Sequence, residues 1–344
     1  MFGDDFMKYP IFLKRNDTIG VVATSLGATK PPYLQRYLSF KSKFKDLGYN
    51  IVESKLVHRH QKGEAGNAKI RAEEFMNMYK NPDIDFIISC GGGELMCEIL
   101  PFIDFEELKK YPPKYFMGYS DNTNLTFLLT THLDIATIYG DHAPSFGATP
   151  WHRQNKDAYK IITGKKFIQV KYGRYQDKLE KSNDPLAPVH GTKIVTWKSL
   201  ENRKKVHLEG RFIGGCLDCL VNLVGTPFDN VVEYTEKYKD EGIVFYLEAC
   251  DLNVFGIRRA LWQLKQAGWF KYCKGIVFGR AVHDEKIMNL TLKDALEKSL
   301  NDLGIPVIYD CDFGHVEPRM TLINGCYAQI DYNNGNGKLK MILK

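Results

Sequence analysis

Apolar residues recur along the first 140 positions in short blocks of two alternating periods. Residues 17–25 (DTIGVVATS) read as a buried strand, 31–47 carry helical spacing up to Gly48, and 50–54 return to strand. The same alternation gives a helix over 67–81, a strand over 84–90, the Gly91-Gly92-Gly93 turn, and a helix over 94–100 stopped by Pro101. A strand over 114–118, a helix over 121–132 and a strand over 135–139 follow. Strands alternating with helices predict a parallel sheet covered on both faces. In such sheets ligands bind beyond the carboxyl ends of strands, where both the triple glycine and Ser120 fall.

The pattern degrades from about 150 to 211 into polar, lysine-rich sequence with strand-like fragments at 167–170 and 192–197. Order returns with Gly214-Gly215, read as a turn, and a helix to 224. A strand over 243–248, a helix over 255–267, a strand over 275–279, a helix over 290–303, a strand over 306–309 and β-rich sequence over 321–331 complete the chain. The expected fold is α/β: a Rossmann/flavodoxin-like parallel-sheet domain over 1–165, a connector over 166–209, and a second, smaller α/β domain over 210–344. A length of 344 residues suits two such domains.

Composition narrows the class. With 44% hydrophobic and 26% charged residues, and no run approaching the roughly 18 apolar residues of a membrane span, the expectation is a cytoplasmic protein without membrane contact. Eight scattered cysteines suggest reduced thiols, and Cys216-Leu217-Asp218-Cys219 reads as buried thiols more readily than as a redox pair. No second cysteine pair or histidine is spaced for zinc. The net charge of +6 is dispersed, with no basic stripe interleaved with aromatics, so nucleic acid is not an expected partner.

Gly118-Tyr119-Ser120-Asp121-Asn122-Thr123 places a serine between a strand and a helix, where a hydroxyl is held clear of the sheet and helix N–H groups face an oxyanion. The same residues also make an ordinary helix cap. Acyl transfer by serine further needs a base, a carboxylate that orients it, and N–H donors. Glu248 ends an apolar strand and His315 lies in the loop after another, although taken alone a surface ion pair and an incidental loop histidine are the more ordinary readings of the two. The triple glycine could offer bare N–H groups or simply turn the chain, and no lysine-serine pair follows it as in a phosphate loop. The G-x-S-x-G elbow of α/β-hydrolases lacks its second glycine here.

Asp17-Thr18-Ile19-Gly20-Val21-Val22-Ala23, the triple glycine, Gly118 to Thr123 and Gly210-Arg211-Phe212-Ile213-Gly214-Gly215 occur in an order that resembles the LD-carboxypeptidase family of serine peptidases. Phe245-Tyr246-Leu247-Glu248 and Asp312-Phe313-Gly314-His315 continue the likeness to the C-terminus. Cys90-Gly91-Gly92-Gly93 and Ile213-Gly214-Gly215-Cys216-Leu217-Asp218 are similar to its microcin C immunity branch. The resemblance implies a Ser120, Glu248, His315 triad completed between domains, an oxyanion hole from the backbone N–H of Gly92 and Asp121, no cofactor or metal, and a homodimer. The implied substrate is either the L,D-peptide bond before the terminal D-alanine of a murein tetrapeptide or the amide joining an aspartyl residue to a nucleotide.

Two departures bear on the substrate: Ala249-Cys250-Asp251 after the acid, and Arg319 in Glu317-Pro318-Arg319. Arg319 is a candidate anion clamp, and Trp197 either stacks on a base or packs as an ordinary core aromatic. The rival from another class is a non-catalytic small-molecule binding protein, which has no need of serine, glutamate and histidine together at three strand ends.

Overall fold

A computed structural model describes residues 6–176 and 182–344, which divide into two compact units. The first takes residues 6–166, 182–189 and 321–323 of those described; the second takes 167–176, 190–320 and 324–344.

The first unit is the parallel-sheet domain that the alternation predicts. Strands β1 (Thr18–Val22), β2 (Asn50–Glu53), β3 (Phe86–Ser89), β4 (Tyr115–Gly118) and β5 (Thr137–Tyr139) lie in the order 5-4-3-1-2, every pair parallel. The inner strands β3 and β4 are buried throughout, which is why they read as unbroken apolar runs instead of alternating ones. Helices α1 (Tyr33–Asp46), α2 (Ala68–Lys80), α3 (Phe105–Leu108) and α4 (Thr123–Leu133) connect them. Asn67 caps α2 by accepting from the Ile70 N–H at 3.0 Å. The helix expected over 94–100 is instead a 3₁₀ segment, Met96–Phe102, with Pro101 inside it. The Met96 N–H is taken there by the Asp121 carboxylate at 2.9 Å.

One helix was invisible in the pattern. Helix α5 (Arg153–Ile162) falls where the sequence reads as degraded, because its inner face is partly polar: buried Gln154 donates to Asp141 Oδ1 at 2.6 Å, and Asn155 donates to the Ser145 carbonyl at 3.0 Å. Satisfied polar groups replace apolar ones at core positions, so the apolar period is lost.

The second unit carries a mixed eight-stranded sheet. Strands β6 (Ile168–Val170), β7 (Arg174–Tyr175), β8 (Lys193–Ile194) and β9 (Lys198–Ser199) precede the long β10 (Lys205–Cys216), then β11 (Ile243–Glu248), β12 (Cys273–Gly279) and β13 (Val307–Cys311). The short β14 (Leu322–Asn324) lies beside β5 in the first sheet, and β15 (Tyr327–Asn333) and β16 (Asn336–Ile342) end the chain. The order is 6-16-15-10-11-12-13-9, with β10 to β13 parallel and the flanking pairs antiparallel; β7 and β8 pair separately. Helices α6 (Leu217–Leu223), α7 (Val231–Lys237), α8 (Val254–Gln266) and α9 (Leu292–Leu300) accompany the sheet.

Two expectations are corrected here. The connector over 166–209 is not a linker, since β6, β9 and the first half of β10 are strands of this sheet. Gly214-Gly215 is not a turn but lies inside β10, with Gly214 paired to Tyr246. A Cβ on Gly214 would lie 1.7 Å from the Tyr246 carbonyl oxygen, so the glycine is there for backbone approach within the sheet. Among the described residues no helix is long and apolar enough to cross a membrane.

Candidate active site

Ser120 sits between β4 and α4 with φ +63°, a left-handed conformation that a non-glycine residue adopts only at a local energy cost. Several contacts over-determine it. The Ser120 N–H lies 3.3 Å from the Tyr139 hydroxyl, and Asn122 Nδ2 donates to the Tyr119 carbonyl at 3.1 Å and to the Gly91 carbonyl at 2.9 Å. Asp121, 2% exposed, accepts from Ser25 Oγ, from the Met96 N–H and from Asn124 Nδ2, so its carboxylate ties the elbow to two neighbouring segments. Burial raises the Asp121 carboxyl above its ordinary value, against the lowering effect of the Ser25 and Met96 hydrogen bonds.

Within the glycine turn, Gly92 is the residue that faces the serine. A Cβ built on it would lie 3.1 Å from Ser120 Cβ and Oγ, whereas one on Gly93 would strike Ser25 Oγ. The turn is braced by Ser89 Oγ donating to the Gly91 carbonyl at 2.8 Å and by the Leu26 N–H donating to the Gly92 carbonyl at 3.1 Å. Reasoning from sequence missed His142, which is 8% exposed and stacks on Tyr119 with ring centroids 4.2 Å apart. Its Nε2 lies 3.1 Å from Asn122 Nδ2 and 3.3 Å from the Tyr119 nitrogen, which makes it a support of the elbow. As one loop histidine among nine, it carried no signal.

In the second unit, Glu248 ends β11 and is fully buried, with its Oε2 2.8 Å from His315 Nδ1. His315 follows β13 and keeps 14% of its side chain exposed. The sequence-predicted acid and histidine are therefore in direct hydrogen bond. The loop after Glu248 is pinned by Asp218, whose carboxylate accepts from the backbone N–H groups of Cys250 at 3.0 Å, Asp251 at 2.9 Å and Leu252 at 3.0 Å. The loop carrying His315 hangs on Asp312, which pairs with Arg280 at 2.7 Å and accepts from the Tyr172 N–H at 3.1 Å and the Trp197 indole N–H at 2.9 Å. Burial raises the Asp312 carboxyl above its ordinary value, with Arg280 as the main opposing influence.

The two substrate-contact candidates have internal partners instead. Arg319 is 4% exposed, donating from Nε to the Gly314 carbonyl at 2.9 Å and pairing with Glu317 at 3.1 Å, so its guanidinium braces the histidine loop and is not presented as an anion clamp. Trp197 is 2% exposed, and its ring lies so close to Gly337 that any Cβ there would collide with it, so it packs in the interior as a core aromatic. Changing Trp197 to phenylalanine removes the bond to Asp312 and is expected to lower stability by about 1.5–3 kcal/mol in urea unfolding, with KM unchanged. A raised KM with no loss of stability would return Trp197 to the substrate.

A cavity of about 350 Å³ opens in the second unit, lined by Val316, the residue after His315, together with Tyr175, Lys193, Lys198 and Arg280. The Arg280 guanidinium lies 4.8 Å from the Tyr175 ring centroid, and Lys198 is paired with Asp310 at 2.7 Å. Asp284 and Asp310 complete the charged part of the wall, so basic and acidic side chains meet there beside the Tyr175 ring, with Lys198 paired to Asp310 and Arg280 to Asp312.

The Cys216-x-x-Cys219 motif straddles the end of β10 and the start of α6, and no disulfide occurs among the described cysteines. Cys216 pairs in register with Glu248, and the sheet thereby brings Cys216, Glu248 and His315 together although their sequence spacing suggested no metal site.

Comparison with known proteins agrees in both halves of the chain. A family model for the LD-carboxypeptidase N-terminal domain matches residues 19–140, and one for the LD-carboxypeptidase C-terminal domain matches residues 209–330. The microcin C7 self-immunity protein MccF of Escherichia coli is 29% identical over 93% of this chain and 92% of its own. A probable murein peptide carboxypeptidase of Bacillus subtilis is 25% identical over 94% of this chain and 91% of its own. The solved structure of MccF in complex with aspartyl sulfamoyl adenosine is similar with a TM-score of 0.80, at 26% identity, covering 96% of this chain and 98% of that one.

Proposed function

The chain belongs to the LD-carboxypeptidase family of serine peptidases, and from that premise we propose that it hydrolyses an amide with Ser120 as nucleophile, His315 as base and Glu248 as the orienting acid. The observation that carries this reading is the 2.8 Å contact between His315 Nδ1 and a fully buried Glu248. With Nδ1–H donated to the carboxylate, Nε2 keeps the lone pair that takes the Ser120 proton as Oγ attacks the carbonyl carbon. The N–H groups of Gly92 and Asp121 stabilise the oxyanion, and His315 returns the proton to the leaving amine. Water then hydrolyses the acyl-enzyme by the same proton path.

The substrate that this reading favours is the amide joining an acidic aminoacyl residue to a nucleotide-like group. Its support is the similarity to MccF along nearly the whole chain, together with a cavity lined by Val316, the residue after His315, and by Lys193, Lys198, Arg280 and Tyr175 alongside Asp284 and Asp310. The relative from Bacillus subtilis favours a second reading, the L,D-peptide bond before the terminal D-alanine of a murein tetrapeptide.

Offering the purified chain both an aspartyl-adenosine amide and a murein tetrapeptide separates the two. Release of aspartate from the first with no D-alanine from the second is the expected result, and the reverse pattern overturns the nucleotide reading.

A further inference from the structure

We propose that Cys216, Glu248 and His315 form a zinc-binding site whose occupancy stops hydrolysis. The regulatory consequence rests on the catalytic reading above; the binding itself does not, because all three ligands belong to the second unit.

The ligand-type atoms of the three side chains lie within 4.8 Å of one another, and His315 Nδ1 is already 2.8 Å from Glu248 Oε2. Tetrahedral zinc with nitrogen, oxygen and sulfur ligands at about 2.0–2.3 Å holds those atoms roughly 3.3–3.6 Å apart, so adjustments of about an ångström converge them on one ion. The sheet fixes the arrangement: Cys216 and Glu248 are the last paired residues of β10 and β11, and Asp312 and Arg319 hold the histidine loop.

Sulfur, nitrogen and oxygen from cysteine, histidine and glutamate are all zinc donors, and three protein ligands leave the fourth position to water. Glu248 is fully excluded from solvent and Cys216 is 2% exposed, and a divalent cation offsets the charges of the one thiolate and the one carboxylate that would bind it, beside the Asp218 carboxylate 3.3 Å from Cys216 Sγ. Binding releases the thiol proton and takes Nδ1 as a ligand. The neutral ring then carries its proton on Nε2, the atom that must accept the Ser120 proton, so a metal-loaded enzyme has no base.

Cobalt titration of the full chain reads the site without reference to activity. A thiolate-to-cobalt charge-transfer band saturating at one cobalt per chain, and displaced by zinc, is expected in the wild type and equally in Ser120→Ala. The band is expected to vanish in Cys216→Ser and Cys216→Ala, and cobalt affinity to fall at least about tenfold in His315→Ala. Zinc should inhibit wild-type hydrolysis reversibly by chelator, and the zinc concentration for half inhibition should rise at least about tenfold in Cys216→Ser.

No band in the wild type, or an undiminished band in both Cys216 variants, overturns the site. Undiminished hydrolysis at saturating cobalt or zinc overturns the regulatory role. Wild-type hydrolysis by Ser120→Ala with the cobalt band intact would instead refute the nucleophile assignment and leave the metal site standing.

Discussion

Ser120→Gly should melt a few degrees above the wild type while losing at least about a thousandfold in kcat. The two effects share one cause. Ser120 holds φ +63°, where a residue with a Cβ carries a penalty of about 1–2 kcal/mol that glycine does not. The extra backbone entropy that glycine loses on folding, about 0.5–1 kcal/mol, offsets part of the gain, so a rise of about 1–3 °C is the net expectation. Ser120→Ala is the control: it removes the same hydroxyl but keeps the Cβ, so its activity should fall as far with no gain in melting temperature. Thermal unfolding alongside single-turnover assays measures both. Retention of hydrolysis in both variants would end the nucleophile assignment, whereas loss of activity with no thermal difference between them would mean that the turn relaxes in solution and the strain is not stored there.

The parts of this molecule that could be read from the chain are those whose residues face a uniform environment. Strands β1, β3, β4 and β11 are buried along almost their whole length and so read as largely apolar runs, and a charged residue that ends such a run stands out, as Glu248 does. Helix α5 failed because Gln154, Asn155 and Asp157 occupy buried positions. Strand β16 was missed although Leu339 and Met341 alternate with Lys338 and Lys340, a legible period of two hidden by the Asn-Gly repeats that run into its start.

Gly214-Gly215 misled for another reason: paired glycines usually signal a turn, and only the neighbouring Tyr246 carbonyl explains their place in a strand. The burial of Trp197 and Arg319 is not encoded in their chemical type. His142 and the partnership of Cys216 with Glu248 depend on contacts between segments far apart in sequence, and no local pattern encodes them.

Glu248→Gln is expected to cost about 10³–10⁴-fold in kcat with KM little changed and the fold retained. Glu248 accepts at His315 Nδ1, which fixes the tautomer with its lone pair on Nε2. Glutamine fills the same space but can present an N–H donor to Nδ1; the ring then accepts there and carries its proton on Nε2, the wrong nitrogen for a base. The pocket gives the substitution no room to escape by moving. A Cβ on Gly279 would lie 3.0 Å from Glu248 Cβ, and one on Gly314, which has φ +99°, would lie 2.8 Å from Glu248 Oε2, so both glycines are closed against the side chain.

On the proposed triad, loss of the carboxylate charge would also remove the stabilisation of an imidazolium formed as Ser120 attacks, and that effect too would fall on kcat. Steady-state kinetics with circular dichroism as the check on folding decide the matter. A kcat within about tenfold of wild type would mean that something other than Glu248 orients His315, and the 2.8 Å pair would then be structural.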